Sequence, residues 1–180
     1  MEKKMEEKLQ VLIQLATLLN ENQILWAVGG SLLLYFNGLV CDFHDLDLMI
    51  DEYACEQVAR LFSPLGIRHP QLPSPQFHTQ CFMEFTISGV EIDVIGNLGI
   101  EHEGQIVSFP LQSEEIEGQI MLGGQRIPLH SLRQWERCYA LMGRTEKAAM
   151  PVSYTHLAAG ERQDAAESGD VQYDRYQRSG

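Results

Sequence analysis

The sequence lacks positive charge over a long stretch, because no lysine or arginine occurs between Lys8 and Arg60. Four aspartates fall inside that gap: Asp42, Asp45, Asp47 and Asp51. The whole chain of 180 residues carries a formal net charge of -12. An extended nucleic-acid surface is therefore not expected, since it would repel phosphates. A surface this acidic is instead expected to attract cations.

Closely spaced cysteines are also missing. The four cysteines are widely separated, and no C-x-x-C motif links any two of Cys41, Cys55, Cys81 and Cys138. This spacing predicts neither a zinc site nor a disulfide framework. It favours a reducing compartment, the cytoplasm.

Long hydrophobic runs are absent as well. No run of about 18 apolar residues occurs, so no membrane-spanning segment is predicted. The apolar segment from Leu9 to Leu19 is interrupted by Gln10 and Gln14 and follows acidic residues. No small-residue cleavage site comes after it, so a signal peptide is not expected.

The elements that are present suit an ordinary globular domain, with 44% hydrophobic and 21% charged residues. Apolar residues at helical spacing predict an amphipathic helix over residues 3–21. Short apolar runs predict strands over 24–28 and 46–50. Helices are predicted over 31–36, with Ser31 as the N-cap, and over 52–62.

Two turn signals predict hairpins in the second half. Ser88 and Gly89 separate strand-like runs over 77–87 and 90–95, and Gly123-Gly124 marks a second hairpin. Ser131, followed by Gln134, forms a capping-box pattern that opens a helix to about Ala148.

The chain changes character after Met150. Residues 151–180 have no sustained apolar period and are rich in small and polar residues. This composition predicts a disordered tail. Because "PVSYTHL" resembles translated sequencing-adapter sequence, a non-native tail is an equally open interpretation.

Three aspartates have the pattern of a metal site. Asp45 and Asp47 alternate along a predicted strand, so their side chains point to the same face about 6–7 Å apart. Such a pair repels unless a cation lies between them, and Mg²⁺ prefers carboxylate oxygens. In "VEIDVIGN", Glu91 and Asp93 share one strand face, so either could supply a third carboxylate.

A glycine turn stands just before this acidic pair. Gly29 and Gly30 lack side chains, so a phosphate could approach the backbone there, at the start of the next helix. The Ser31 hydroxyl adds a hydrogen-bond donor. The bland alternative is an ordinary strand-to-helix turn followed by a solvated strand edge.

Taken together, "WAVGGSLLLYFNGL", "HDLDLMID", "GVEIDVIGN" and "IPLHSLRQWERCYALMGRTEKAAM" resemble the minimal nucleotidyltransferases of the DNA polymerase beta type. The resemblance covers roughly residues 24–149. It implies an α+β nucleotidyltransferase fold over residues 1–150, with a small mixed β-sheet covered by helices. It also implies transfer of a nucleoside monophosphate from an NTP to a hydroxyl, with release of pyrophosphate.

The resemblance assigns roles residue by residue. Gly29, Gly30 and Ser31 would bind the triphosphate. Asp45 and Asp47 would ligate two Mg²⁺ ions, or Mn²⁺, and Asp93 would be the third ligand and the general base. The acceptor would be a small molecule such as an aminoglycoside or a lincosamide, or else a protein hydroxyl.

The sequence departs from the family pattern in one respect. Many relatives carry a basic residue between the glycines and the acidic pair, and residues 32–44 contain none. Arg144 and Lys147 could supply that charge from the last helix, or they could merely complement the helix C-terminus. The i, i+4 pair Trp135 and Tyr139 favours helix packing over a base-stacking platform.

Two other classes of function remain open from the sequence. One is a partner protein in a toxin–antitoxin or abortive-infection pair, in contact with a helical protein. The other is a catalytically degenerate nucleotide-binding module. The three aspartates favour the enzyme, and the missing basic residue favours the other two.

Overall fold

The computed structural model of the protein describes residues 2–150. The predicted tail, residues 151–180, lies outside the described residues. Within these residues the α-helices are α1 (Glu2–Glu21), α2 (Gly30–Phe36), α3 (Cys55–Phe62) and α4 (Leu132–Leu141), and residues 145–150 are also helical. None of the helices within residues 2–150 combines the length and the apolar character needed to cross a membrane.

The described residues also form nine strands, of which the last seven follow one another between α3 and α4. The first five are β1 (Trp26–Val28), β2 (Leu46–Ile50), β3 (Ile67–Arg68), β4 (Cys81–Ile87) and β5 (Val90–Gly96). The remaining four are β6 (Leu98–His102), β7 (Gln105–Phe109), β8 (Ile116–Leu122) and β9 (Gln125–His130). Short 3₁₀ turns cover Glu52–Ala54 and Ser113–Glu115.

Seven strands form one mixed sheet in the order β3-β4-β5-β2-β1-β9-β8, and β6 pairs with β7 as a separate ribbon. In the sheet, β2 runs parallel to β5 and β1 runs parallel to β9. The other pairs are antiparallel. This is the α+β fold with a small mixed sheet that the resemblance implied.

The two faces of the sheet bury different sets of side chains, because side chains alternate along each strand. Leu48 of β2 and Ile92 of β5 pack in one apolar cluster with residues of α1 and α3. Met49 lies one residue after Leu48, and Ile95 lies three residues after Ile92, so both point to the opposite face. They pack in the other cluster with residues of α2 and α4. The face beneath α2 and α4 also carries Asp47 and Asp93.

Both predicted hairpins are confirmed. Ile87 pairs with Val90 across Ser88 and Gly89, whose φ angles of 51° and 77° suit a type I′ turn. The Gly123-Gly124 turn joins β8 to β9 in the same way, with φ angles of 54° and 77°. The sequence analysis did not anticipate β3 or the β6–β7 ribbon.

Two helix boundaries differ from the prediction. Ser31 lies inside α2, and the N-cap is Gly29, which makes no side-chain capping bond. At the other boundary, α4 ends at Leu141 rather than near Ala148. The N–H groups of Gly143 (φ 75°) and Arg144 donate to the carbonyls of Ala140 and Tyr139, which forms a Schellman motif. Residues 145–150 are helical again after this break.

The capping box at α4 is only half formed. The Ser131 hydroxyl accepts from the Gln134 backbone N–H, as predicted. The Gln134 side chain instead donates to Oε1 of Glu115 at 2.7 Å. A full box would have the Gln134 side-chain oxygen accept from the Ser131 backbone N–H. Here the bond to Glu115, in the 3₁₀ turn Ser113–Glu115, holds the Gln134 side chain instead.

The prediction that the cysteines form no disulfide was wrong. Cys55, the first residue of α3, is bonded to Cys81, the first residue of β4. The two are 26 residues apart in sequence, and the fold brings their Cα atoms to 6.2 Å. Sequence spacing could not show this, because the pairing depends on how α3 packs against β4. Cys41 and Cys138 are free thiols.

Candidate active site

Three carboxylates meet at one edge of the α2 and α4 face. Asp45 lies just before β2, Asp47 lies within it, and the β2–β5 register places Asp93 directly beside Asp47. One oxygen from each of Asp45, Asp47 and Asp93 lies within 4.8 Å of the others. The predicted convergence of these three carboxylates, here called the carboxylate cluster, is confirmed.

The cluster is electrostatically unfavourable without a cation. Burial, followed by the charges of Asp45 and Asp93, raises the pKa of Asp47 to about 8. Burial, followed by the charge of Asp45, raises the pKa of Asp93 to about 7. Both shifts mean that the protein does not by itself stabilise three negative charges at this position. A cation would.

Glu84 is a neighbouring carboxylate that the sequence analysis missed. It lies on β4 directly opposite Asp93, and its charge also contributes to the raised pKa of Asp93. The signal was available in the hairpin itself. Counting back from the Ser88-Gly89 turn pairs residue 87 with 90, and hence 84 with 93.

The glycine turn, Gly29 to Ser31, has its own packing reasons for lacking side chains. A Cβ on Gly30 would lie 1.8 Å from Oδ2 of Asp47, and a Cβ on Gly29 would lie 2.3 Å from the indole of Trp135. The Gly29 N–H donates to the backbone carbonyl of Asp47 at 2.9 Å. The Ser31 backbone N–H bonds to the Asp47 carboxylate and opposes the rise in its pKa. The turn therefore holds the acidic strand in place.

A cavity of about 760 Å³ opens over the carboxylate cluster. Gly30, Ser31 and the three aspartates line one part of it, and Arg144 and Lys147 also reach its wall. Gly29 does not line the cavity, because it is buried against Trp135. The predicted cationic pair thus lies at the site, although the two residues are not on the continuous helix that was expected.

Trp135 and Tyr139 form a buried wall of the same cavity. Their ring centroids are 5.5 Å apart, and the side chains are only 3% and 1% exposed. The predicted helix packing is therefore confirmed. Burial raises the pKa of the Tyr139 hydroxyl, and the charge of Asp47 adds to the rise. Lys147 Nζ lies 5.6 Å from the centre of the Tyr139 ring.

The remaining wall of the cavity combines apolar residues with polar ones such as Gln71 and His78. Its apolar members include Leu72, Phe77, Phe82, Ile95 and Leu98. Phe82 of β4 pairs with Ile95 of β5, two residues along each strand from the pair formed by Glu84 and Asp93. A ligand in this cavity would therefore meet apolar surface as well as charged groups.

Comparison with known proteins begins with two negative results, since no protein-family model matches the sequence and no curated protein matches it either. Solved structures do match. A Thermotoga maritima protein provisionally assigned as a nucleotidyltransferase superposes with a TM-score of 0.66 at 25% identity. The match covers 84% of this chain and 94% of that one.

Two antibiotic-modifying proteins share the architecture. The antibiotic-resistance factor ANT(2'')-Ia matches with a TM-score of 0.57 at 13% identity, over 88% of this chain and 92% of its own. The lincosamide antibiotic adenylyltransferase LnuA matches with a TM-score of 0.52 at 14% identity, over 79% and 92%. The chain therefore has the nucleotidyltransferase fold.

Proposed function

We propose that the protein transfers a nucleoside monophosphate from an NTP to a hydroxyl group, with release of pyrophosphate. The observation that carries the proposal is the carboxylate cluster, which lies within a cavity that two cationic side chains also line. The nucleotidyltransferase fold of the matched structures supports the same chemistry.

The donor set suits a hard divalent cation. Asp45, Asp47 and Asp93 offer oxygen ligands. Burial, and then the neighbouring carboxylates, raise the pKa values of Asp47 and Asp93, and a bound cation would offset both effects. We therefore propose that these residues hold two Mg²⁺ ions, for which Mn²⁺ can substitute. When bound, the ions supply charge neutralisation of the triphosphate and alignment of the attacking and departing oxygens.

The protein's own residues take the remaining roles. The Arg144 guanidinium and the Lys147 ammonium bind the triphosphate, in place of the basic residue missing before the acidic pair. The glycine turn orients the phosphates through the backbone at Gly30 and the hydroxyl of Ser31, which also line the cavity. A carboxylate oxygen of Asp93 accepts the proton of the attacking hydroxyl.

The acceptor proposal rests on the matched structures. ANT(2'')-Ia has been captured with adenylyl-2''-tobramycin, and LnuA with lincomycin. For this protein we propose a hydroxyl-bearing small molecule as the first class of acceptor to test, and a protein hydroxyl as the second. The location we propose is the cytoplasm, where NTPs are made, and there Cys55 and Cys81 would be thiols.

The test is incubation of the full chain with each α-labelled NTP, Mg²⁺ and an acceptor panel of tobramycin, lincomycin and a cell extract. We expect label to appear on one acceptor and not with Asp47→Asn. A protein that binds Mg·NTP yet transfers no label to any acceptor would be a degenerate binding module. One that binds neither metal nor NTP would exclude both functions and leave the helical-partner hypothesis.

A further inference from the structure

Two hydrogen-bond donors in the cavity wall have no partner among residues 2–150. The indole Nε1 of Trp135 and the hydroxyl of Tyr139 are buried, and neither atom makes a hydrogen bond within the part of the chain that is described. Buried polar atoms are nearly always paired, and leaving one unpaired is costly. Their state therefore needs an explanation that packing by itself does not provide.

The position of these donors points to a ligand. The Trp135 nitrogen lies against the glycine turn, 2.7 Å from where a Cβ of Gly29 would be. The Tyr139 ring lies beside it at an interplanar angle of 49°, with the Lys147 ammonium over its face. Besides burial, the charges of Asp47 and Arg144 act on the Tyr139 hydroxyl in opposite directions, so charged groups of both signs are near it.

Anionic oxygen is the acceptor that fits this arrangement. An indole N–H can only donate a hydrogen bond. Donors aimed at a phosphate add specificity to the attraction that Arg144 and Lys147 provide by charge. Two neutral donors here would also compensate for the absence of lysine and arginine between Lys8 and Arg60.

We propose that the Trp135 indole N–H and the Tyr139 hydroxyl donate hydrogen bonds to phosphate oxygens of the bound NTP. The proposal rests on the function proposed above and assigns two further substrate-binding residues to it. Both donors are covered in the ligand-free protein.

Inorganic tripolyphosphate with Mg²⁺ is the probe, because it carries the phosphates without a base or an acceptor. We expect Tyr139→Phe to weaken its binding about tenfold in calorimetry, the effect of losing a hydrogen bond to a charged group. The melting temperature of the ligand-free variant should stay the same or rise, since an unpaired buried hydroxyl is removed. Tyr53→Phe, at a residue that is 87% exposed and absent from the cavity wall, is the matched control.

Trp135 can be tested without a mutation at the site. The chain contains two tryptophans, so its NMR spectrum has two indole N–H signals. Trp26 donates to Oδ1 of Asn20 at 2.9 Å, and Trp26→Phe assigns its signal by removing it. We expect Mg·tripolyphosphate to shift the Trp135 indole proton downfield and to leave the Trp26 signal in place.

The outcomes separate this inference from the function beneath it. If the wild-type chain binds Mg·tripolyphosphate, and Tyr139→Phe binds equally well with no shift of the Trp135 signal, the inference is wrong and the proposed function stands. A Tyr139→Phe variant that melts several degrees lower with unchanged affinity would make the hydroxyl structural. If the wild-type chain does not bind the probe at all, the triphosphate site and the inference both fall.

Discussion

The carboxylate of Asp47 occupies the space that a side chain on Gly30 would need. Oδ2 of Asp47 lies 1.8 Å from the ideal Cβ position of Gly30, whose φ of 55° is also in the left-handed region. The glycine is therefore required twice, once by backbone conformation and once by contact. It couples the geometry of the turn to that of the acidic strand.

Gly30→Ala should accordingly damage both stability and metal binding. We expect a loss of about 3 kcal/mol of unfolding free energy from strain and displacement of Asp47. Mg²⁺ affinity measured by calorimetry should fall with it. Gly38→Ala is the control, because Gly38 also has a positive φ of 71° but would place its Cβ in open space. It should cost only about 1 kcal/mol and leave Mg²⁺ binding intact.

Asp47→Asn should separate catalysis from stability. The substitution removes one charge from the cluster, so the metal-free protein should melt at a higher temperature. Label transfer should fall on the order of 100-fold or more because a metal ligand is lost. In the wild type, Mg²⁺ should raise the melting temperature, and NTP should raise it further only with metal present. If Asp47→Asn keeps both responses, the aspartate pair is an ordinary strand edge.

Asp42→Asn should have the opposite effect on stability and serves as the comparison for Asp47. A backbone hydrogen bond from Phe43 lowers the pKa of Asp42, so its ionised form is favoured by folding. Removing that charge should lower the melting temperature slightly without changing the response to Mg²⁺. Equal effects of the two substitutions would contradict the electrostatic account.

The metal-free protein should lose stability as the pH rises from 5 to 8. The folded pKa values of Asp47 and Asp93, about 8 and about 7, lie above their ordinary value of 3.8. The native state therefore holds more protons than the unfolded state in this range, and stability falls as they are released. Melting curves in EDTA should show this slope, and saturating Mg²⁺ should flatten or reverse it. The same slope in Asp93→Asn and wild type would contradict the assignment to Asp93.

Arg144→Met and Lys147→Met should each weaken Mg·NTP binding about tenfold, the effect of losing a charge-assisted contact to a phosphate. Because both residues line the cavity from outside the sheet, the fold should be little affected. Arg133→Met, at an exposed position of α4 that does not line the cavity, controls for net charge. A loss as large with Arg133→Met would indicate a general charge effect.

Reduction of the Cys55–Cys81 disulfide should lower stability by about 3 kcal/mol, since the bond closes a loop of 26 residues. The comparison is the melting temperature with and without a reductant, repeated with Cys55→Ser. Cys41→Ser is the matched control, because Cys41 is a free thiol and its replacement leaves the disulfide intact. The melting temperature of this variant should fall with reductant as much as that of the wild type does. The proposed cytoplasmic location predicts that protein purified from cytoplasm carries two free thiols, Cys55 and Cys81, in addition to Cys41 and Cys138.

Local sequence pattern was sufficient to predict most of the helices and strands and to identify the three aspartates of the carboxylate cluster. The alternation around Asp47 and Asp93 reveals which face each side chain takes, because the period of a strand is two residues. The Ser88-Gly89 turn likewise determines the register that brings Glu84 opposite Asp93. Both features depend only on residues that are close together in the chain, so a short stretch of sequence is enough to predict them.

Other features were decided by tertiary structure, because they join residues that are distant in the chain. The parallel register of β2 and β5 sets Asp93 beside Asp47, and α4 places Trp135 against Gly29 and Tyr139 beside the cluster. The sequence pattern predicts that Trp135 and Tyr139 pack on a helix and that the missing side chains of Gly29 and Gly30 leave room for phosphate. Only the close approach of the elements shows that Asp47 and Trp135 take up that space, since helical and strand periods describe which way a side chain points and not what it meets.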